Sequence, residues 1–312
     1  MNKEMQRIAW IDIAKGMAIF LMVCGHTSIP LCASNWIWSF HMPLFFIVSG
    51  MLFSPDRYPS AMAFVGKRCM SLLVPWISFT IITVLCSPSD SVRLLSEGRN
   101  LHALWFLPVL FVVEIMGYYL AMISIRWVML LLAIVMASVG FGMEKYGIRL
   151  PFNLDASLYA TLFYTIGFVC KRIITTAEPK WMYILFLLAV NILLSQVLPR
   201  TDMAANKIGM YGVNALNAFV GTMAFFFLAQ KEESWNRENL LKKFFVWAGQ
   251  NTLFIMGLSA VINLSLKSAM EHFLLPPIVN STLRHTLLWY LLWLISRFVN
   301  RYIPEIIGKK RK

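Results

Sequence analysis

The stretch IAWIDIAKGMAIFLMVCGHTSI, Ile8 to Ile29, decides how the whole chain is read. It has the length and apolarity of a bilayer-crossing helix, roughly 20 residues, yet it carries Asp12, Lys15 and His26. Ionisable side chains inside a span are costly and face the bundle interior or a wet cavity. Lys15 to His26 is eleven residues, close to three helical turns, and Asp12 to Lys15 is an i, i+3 step. The three side chains therefore share one face. On a straight helix Lys15 and His26 stand about 16 Å apart at 1.5 Å per residue. They contact different parts of one elongated ligand, or different ligands. Gly16 and Gly25 leave room for something to approach the backbone. The competing reading is structural: Asp12 snorkels to an interface and pairs with Lys15, and His26 is an interfacial histidine.

Composition extends this reading to the whole chain. Of 312 residues 59% are apolar and 14% charged, against roughly a quarter charged in soluble domains. Spans are expected at Ile8 to Ile29, Trp36 to Phe53, Cys69 to Cys86, His102 to Met122, Trp127 to Gly140, Ala156 to Cys170, Trp181 to Leu198, Gly209 to Ala229, Phe245 to Leu266 and Ile278 to Val299. The fold class is all-α: a polytopic transmembrane bundle of about ten spans in one integral-membrane domain, residues 1–312, without a cleavable signal peptide. Trp235 to Phe245 mixes aromatics with Lys242 and Lys243, as a short interfacial helix does.

The net charge of +13 first suggests a nucleic-acid partner. Topology explains it better. With about ten spans, roughly 18 of the 28 Lys and Arg fall on the side of both termini and roughly 7 on the other. By the positive-inside bias both ends are cytoplasmic, including the tail Lys309 to Lys312, and no nucleic acid is needed. The five cysteines form no CxxC or paired framework.

The second span reads WIWSFHMPLFFIVSG, Trp36 to Gly50. A short turn joins it to the first, so His41 and His26 share a depth, and Pro43 can kink the helix. Two imidazoles at one depth suit a general base and a partner. No third ligand at suitable spacing supports zinc. The fourth span opens with His102 and Trp105, and Trp105 also suits an aromatic belt. Glu114 lies about 16 Å deeper at 1.5 Å per residue, level with Lys15, so a Glu114–Lys15 pair is expected.

These residues resemble a known family. Asp12-Ile-Ala-Lys15-Gly16 with His26 ten residues on, then Phe40-His41-Met42-Pro43-Leu44-Phe45-Phe46-Ile-Val-Ser49-Gly50, is similar to the signature of the membrane acyltransferase-3 family, most of all its fucose-4-O-acetylase-like branch. Lys67-Arg68 before Leu73-Val-Pro75-Trp76 resembles the family's basic loop and third helix, and Leu104-Trp105-Phe106-Leu107 its fourth-helix motif. Gly249-Gln-Asn251-Thr252-Leu253 is a weaker echo in the ninth span. Two departures stand out. Met256-Gly257-Leu258-Ser259 occupies the place where many relatives carry a histidine, and Lys15 stands where many carry arginine, which loses a bidentate contact.

The resemblance implies transfer of an acyl group, usually acetyl, from cytosolic acyl-CoA to a hydroxyl of a cell-surface or lipid-linked sugar, in the bacterial inner membrane. His26 is the candidate general base, or else a covalent acyl carrier, with Asp12 and Lys15 below it. His41, Trp105, Glu114, Arg284 and His285 are candidates for the acceptor end. Lys67 and Arg68 are candidates for the CoA head, with Arg57, Lys171 and Arg172 behind them. A transporter or flippase remains an alternative, since Asn191, Gln196, Asn214, Asn217 and Asn263 would line a path or tie helices together. A structural subunit of a polymer-assembly complex is the other alternative.

Overall fold

A computed structural model describes residues 8–27, 29–86, 102–235, 239–270, 273 and 276–308. The expected external segment Ser87 to Asn100 and the tail Lys309 to Lys312 lie outside the described residues. The described chain is helical, with a single isolated β-bridge, Asp202 to Lys207. Twelve α-helices follow in order among the described residues: α1 (Ala9–Gly25), α2 (Leu31–Leu52), α3 (Ala61–Arg68), α4 (Val74–Cys86), α5 (Phe106–Leu120), α6 (Arg126–Lys145), α7 (Ala156–Thr176), α8 (Trp181–Val197), α9 (Tyr211–Ser234), α10 (Leu240–Gln250), α11 (Thr252–Met270) and α12 (Pro277–Tyr302). Among the described residues, seven helical segments are long and apolar enough to cross a membrane. Helices α1 and α8, at 17 residues each, and α12, at 26, are not among the seven.

Two expected boundaries differ for a physical reason. Lys67 and Arg68 lie on a helix and not in a loop. Helix α3 starts at Ser60, whose side chain caps Ala63 N, and runs through a π turn, Cys69–Leu73, directly into α4. The wide turn sits just before Pro75, which has no N–H to offer a regular helix. The expected ninth span is broken. Helix α10 ends at Asn251, whose side-chain amide donates back to Trp247 O at 2.8 Å, and α11 begins at once. Helix α2, by contrast, continues through Pro43.

Two glycine crossings bring the buried helices into close contact. A Cβ on Gly16 would run into the carbonyl of Phe245, and one on Gly249 into the carbonyl of Asp12, so α1 and α10 touch backbone to backbone. Gly50 and Gly167 do the same for α2 and α7 against Tyr164 and Ile47. Small residues at interfaces are how helices gain contact where lipid removes the hydrophobic drive between them. The approach expected at Gly16 is therefore made by the protein's own helix α10, so the inner half of α1 does not offer that face to a ligand.

The polar residues of the later spans are tied up in packing. Buried Asn191 donates to Asn217 Oδ1 at 2.9 Å and to Ser39 Oγ at 3.2 Å, and accepts from Trp36 Nε1 at 2.9 Å. Asn214 donates to Pro199 O and Thr201 Oγ1, and Gln196 to Cys32 O. These four are interhelical and loop ties, and Asn263 alone of the five lines a cavity.

Candidate functional site

The alternation of helices brings the end of α1, the start of α2, the head of α5, the α8–α9 connection and the start of α12 to one end of the bundle. His26 caps α1: its N–H still reaches Met22 O and Val23 O, but its own backbone has left the helix. Its ring opens onto two cavities, of about 80 Å³ and about 30 Å³. His102 and Ala103 also border both. The larger cavity is walled by Thr27 of the α1 end and by Ser259 and Asn263 of α11, with Leu264 and Leu288. Asn263 Oδ1 is buried there without a hydrogen-bond partner among the described residues. The smaller is walled by Trp38, His41 and Met42 of α2, Trp105, and Met203 and Ala204 of the α8–α9 connection.

His41 is buried, and its Nδ1–H donates to Ile37 O at 2.8 Å, because a carbonyl only accepts. The other nitrogen, Nε2, is thereby left for the cavity. Trp38 packs edge-on against both histidines, with ring centroids 5.5 Å from His26 and 5.8 Å from His41. The Arg200 guanidinium lies over the Trp38 ring at 4.1 Å, a cation–π contact that holds the indole in place. Trp105 is buried against the smaller cavity, so it is not a belt residue exposed to lipid.

The α8–α9 connection closes this end as a folded cap. Asp202 and Lys207 pair their backbones, Ile208 N donates to Glu144 Oε2 at 2.9 Å, Arg149 reaches Asn206 O at 3.2 Å, and Asn153 donates to Ala204 O. Arg149 also meets Asp155 at 3.5 Å. The cap thus holds Thr201 and Met203 down onto the smaller cavity through anchors on α6 and the segment between α6 and α7.

His285 joins the site from α12. Its Nδ1–H donates to Ser281 O at 2.8 Å, and its Nε2 lies 3.1 Å from Thr27 Oγ1. Thr27 Oγ1 also lies 2.6 Å from Cys24 O, and its one proton serves one of the two acceptors at a time, so the contact with His285 ties α12 to the end of α1, next to His26. Its neighbour Arg284 borders neither cavity, and its Nε is buried without a hydrogen-bond partner among the described residues.

The remaining candidates lie elsewhere. Lys15 Nζ meets Asp12 Oδ1 at 3.1 Å, and neither cavity at His26 includes them. The expected Glu114–Lys15 pair does not form. Buried Glu114 faces Arg68 instead, Oε2 to Nε 2.9 Å. Arg68 also lies 5.5 Å from the Phe64 ring centre. Lys67 is exposed, its Nζ 5.3 Å above the Tyr58 ring. Among the described residues no group of three or more His, Cys, Asp or Glu is placed to hold a metal ion.

Three site residues were not singled out from sequence: His102, Trp38 and Arg200. His102 was visible at the head of the fourth span, but its backbone is left-handed, φ 53°, which turns it out of the helical series. That conformation is uncommon for a residue with a Cβ, and a propensity reading does not anticipate it. Arg200 sits in a connection whose fold depends on contacts distant in sequence.

The fold and the site define a multi-pass membrane protein whose histidines gather round two cavities at one end of the bundle. The chain belongs to the acyltransferase-3 family. The family model, an acyltransferase domain, matches residues 8–299. No curated protein and no solved structure matches the chain. Membership together with the membrane-length helices makes this a membrane acyltransferase.

Proposed function

We propose that the chain is an O-acyltransferase moving an acetyl group from cytosolic acetyl-CoA to a hydroxyl of a cell-surface or lipid-linked sugar, with His26 as general base. The observation that carries this reading is the position of His26 on both cavities. A base that activates one reactant against another has to face both. The acceptor hydroxyl gives its proton to the His26 imidazole as its oxygen attacks the thioester carbonyl. The C–O bond forms, the C–S bond breaks, and the proton passes on to the departing CoA thiolate. His41 and Trp105, expected from sequence at the acceptor end, border the smaller cavity and on this reading shape the acyl side, while His285 keeps Thr27 and the end of α1 in place.

The basic side chains Arg57, Lys67, Lys171 and Arg172 cluster at the bundle end opposite His26, which suits an anionic nucleotide head. Arg68 belongs to the same end, although its guanidinium is engaged with Glu114. Asp12 and Lys15 form the inner charge pair of α1. We read α1, α8 and α12 as crossing alongside the seven longer or more apolar segments, which gives ten spans, cytoplasmic termini and a bacterial inner-membrane protein of the fucose-4-O-acetylase-like branch.

The test is a donor-only assay. Detergent-purified protein is expected to hydrolyse acetyl-CoA slowly with water as acceptor, and His26→Ala to lose at least tenfold, about 1.4 kcal/mol of transition-state stabilisation. Mass spectrometry of surface glycans and lipids with and without His26 then identifies the product. No mass change in any glycan or lipid, together with no CoA dependence, would sink O-acylation and leave the transporter reading. The polar residues a transport path would use are, apart from Asn263, engaged in packing, which favours the transferase.

A further inference from the structure

The two cavities at His26 differ in chemistry as well as in size. The larger offers hydrogen-bonding groups: the Thr27 and Ser259 hydroxyls and the unpartnered Asn263 carbonyl oxygen. A hydroxyl-bearing acceptor needs such partners, because a buried polar group without one is penalised. The smaller is closed mainly by Trp38, Met42, Trp105 and Met203, with Ala103 and Ala204 between them; besides His26 and His102 its polar groups are the His41 ring and Thr201, whose hydroxyl is already engaged with Asn214 Nδ2 and Ile208 O. Trp105, Met42 and Met203 are each at most 5% exposed. Its volume of about 30 Å³ holds roughly two water-sized groups. That is the size of a carbonyl and a methyl group.

We infer that the smaller cavity is an acyl chamber that restricts the donor to acetyl, with Met203 of the cap and Met42 of α2 as the residues that set chain length. This rests on the acyltransferase reading of His26 and goes beyond it by assigning one cavity to the acyl group and the other to the acceptor. Methionine fills gaps with a flexible, unbranched chain. Replacing it by alanine removes Cγ, Sδ and Cε, three heavy atoms next to the space where an acyl methyl would end. Butyryl adds two methylene carbons to acetyl, so one such deletion accommodates it. The two methionines come from different elements, one a packed helix and one a tethered connection, so each tests the chamber independently of the other.

The experiment measures hydrolysis of acetyl-CoA and butyryl-CoA by the full-length protein in detergent, and reads their ratio within each preparation. A ratio is independent of how much of a variant is folded. The parent is expected to prefer acetyl-CoA by tenfold or more. Met203→Ala and Met42→Ala are each expected to reduce that preference at least fivefold. Leu264→Ala, which enlarges the larger cavity, is expected to leave it unchanged. A parent that hydrolyses acetyl-CoA while both methionine variants keep its ratio overturns the chamber. So does a shift produced by Leu264→Ala instead. Absence of any His26-dependent hydrolysis removes His26 as the base between the two cavities, and the chamber with it.

Discussion

At the residue scale, the pair between Arg68 and Glu114 shows how a buried charge is tolerated and what that tolerance costs. Glu114 is 3% exposed, and Arg68 Nε lies 2.9 Å from its Oε2. Deleting one partner of a buried pair leaves the other charge uncompensated, at roughly 3–5 kcal/mol, whereas removing both charges together is often close to neutral. Arg68→Ala is therefore expected to lower the melting temperature in detergent clearly, and Arg68→Ala with Glu114→Gln to recover most of the loss. A double variant that loses the sum of what Arg68→Ala and Glu114→Gln each lose alone would show no coupling. The same pair of variants separates structure from binding. If Arg68 also holds the CoA head, donor affinity stays low in the double variant although stability returns. The sequence showed Glu114 as a buried acid in need of a cation. It gave no means of choosing Arg68 over Lys15, because Arg68 becomes available only when α3 and α4 join through the π turn before Pro75. Lys15 finds its partner one turn away, at Asp12.

At the element scale, the crossing of α1 and α10 carries more of the fold than any span boundary does. Gly16 and Gly249 each face a carbonyl of the other helix, and neither has room for a Cβ. Gly249→Ala must push α10 off α1 by more than a side-chain rearrangement can absorb, since the obstacle is backbone. It is expected to reduce both the folded yield and acetyl-CoA hydrolysis. Gly66→Ala is the matched control. Gly66 lies within α3 with nothing near its Cβ position, so alanine there is expected to be neutral or to stabilise by up to about 1 kcal/mol through helix propensity. Thermal melts of the two variants side by side test the contrast. If Gly249→Ala melts with the parent, the crossing is looser than its geometry. The amphipathic character of Trp235 to Phe245 was legible, and suggested a helix lying on the membrane surface. Its true partner was not, because nothing in the order of residues couples position 16 to position 249. Periodicity reads out which face of a helix is apolar, and long-range pairing is decided by shape. The same limit applies to the site: His26 and His41 were brought together by a short turn, which sequence can count, whereas His102, Arg200 and Met203 arrive through connections that it cannot.

At the scale of the molecule, the chemistry is polarised along the bundle. His26, His41, His102 and His285 collect at one end, and Arg57, Lys67, Arg68, Lys171 and Arg172 at the other. The proposed transfer from a cytosolic donor to an external acceptor requires such a division, with the basic end facing inward. Cys32 offers a direct test of that orientation. It is exposed in the first turn of α2, at the histidine end, and all five cysteines are free. In a protein with the other four cysteines replaced by serine, a membrane-impermeant maleimide is expected to label Cys32 in intact cells. With Cys32 also replaced, a cysteine introduced at Ser234, at the far end of α9, is expected to react only after permeabilisation. The reverse pattern would put the histidines on the cytosolic side. Donor and acceptor would then meet at the same face, the basic end would have no nucleotide to hold, and the reason for separating Lys67 from His26 by the depth of the bundle would disappear. Orientation therefore decides whether acyl transfer here crosses the membrane, independently of which hydroxyl receives the group.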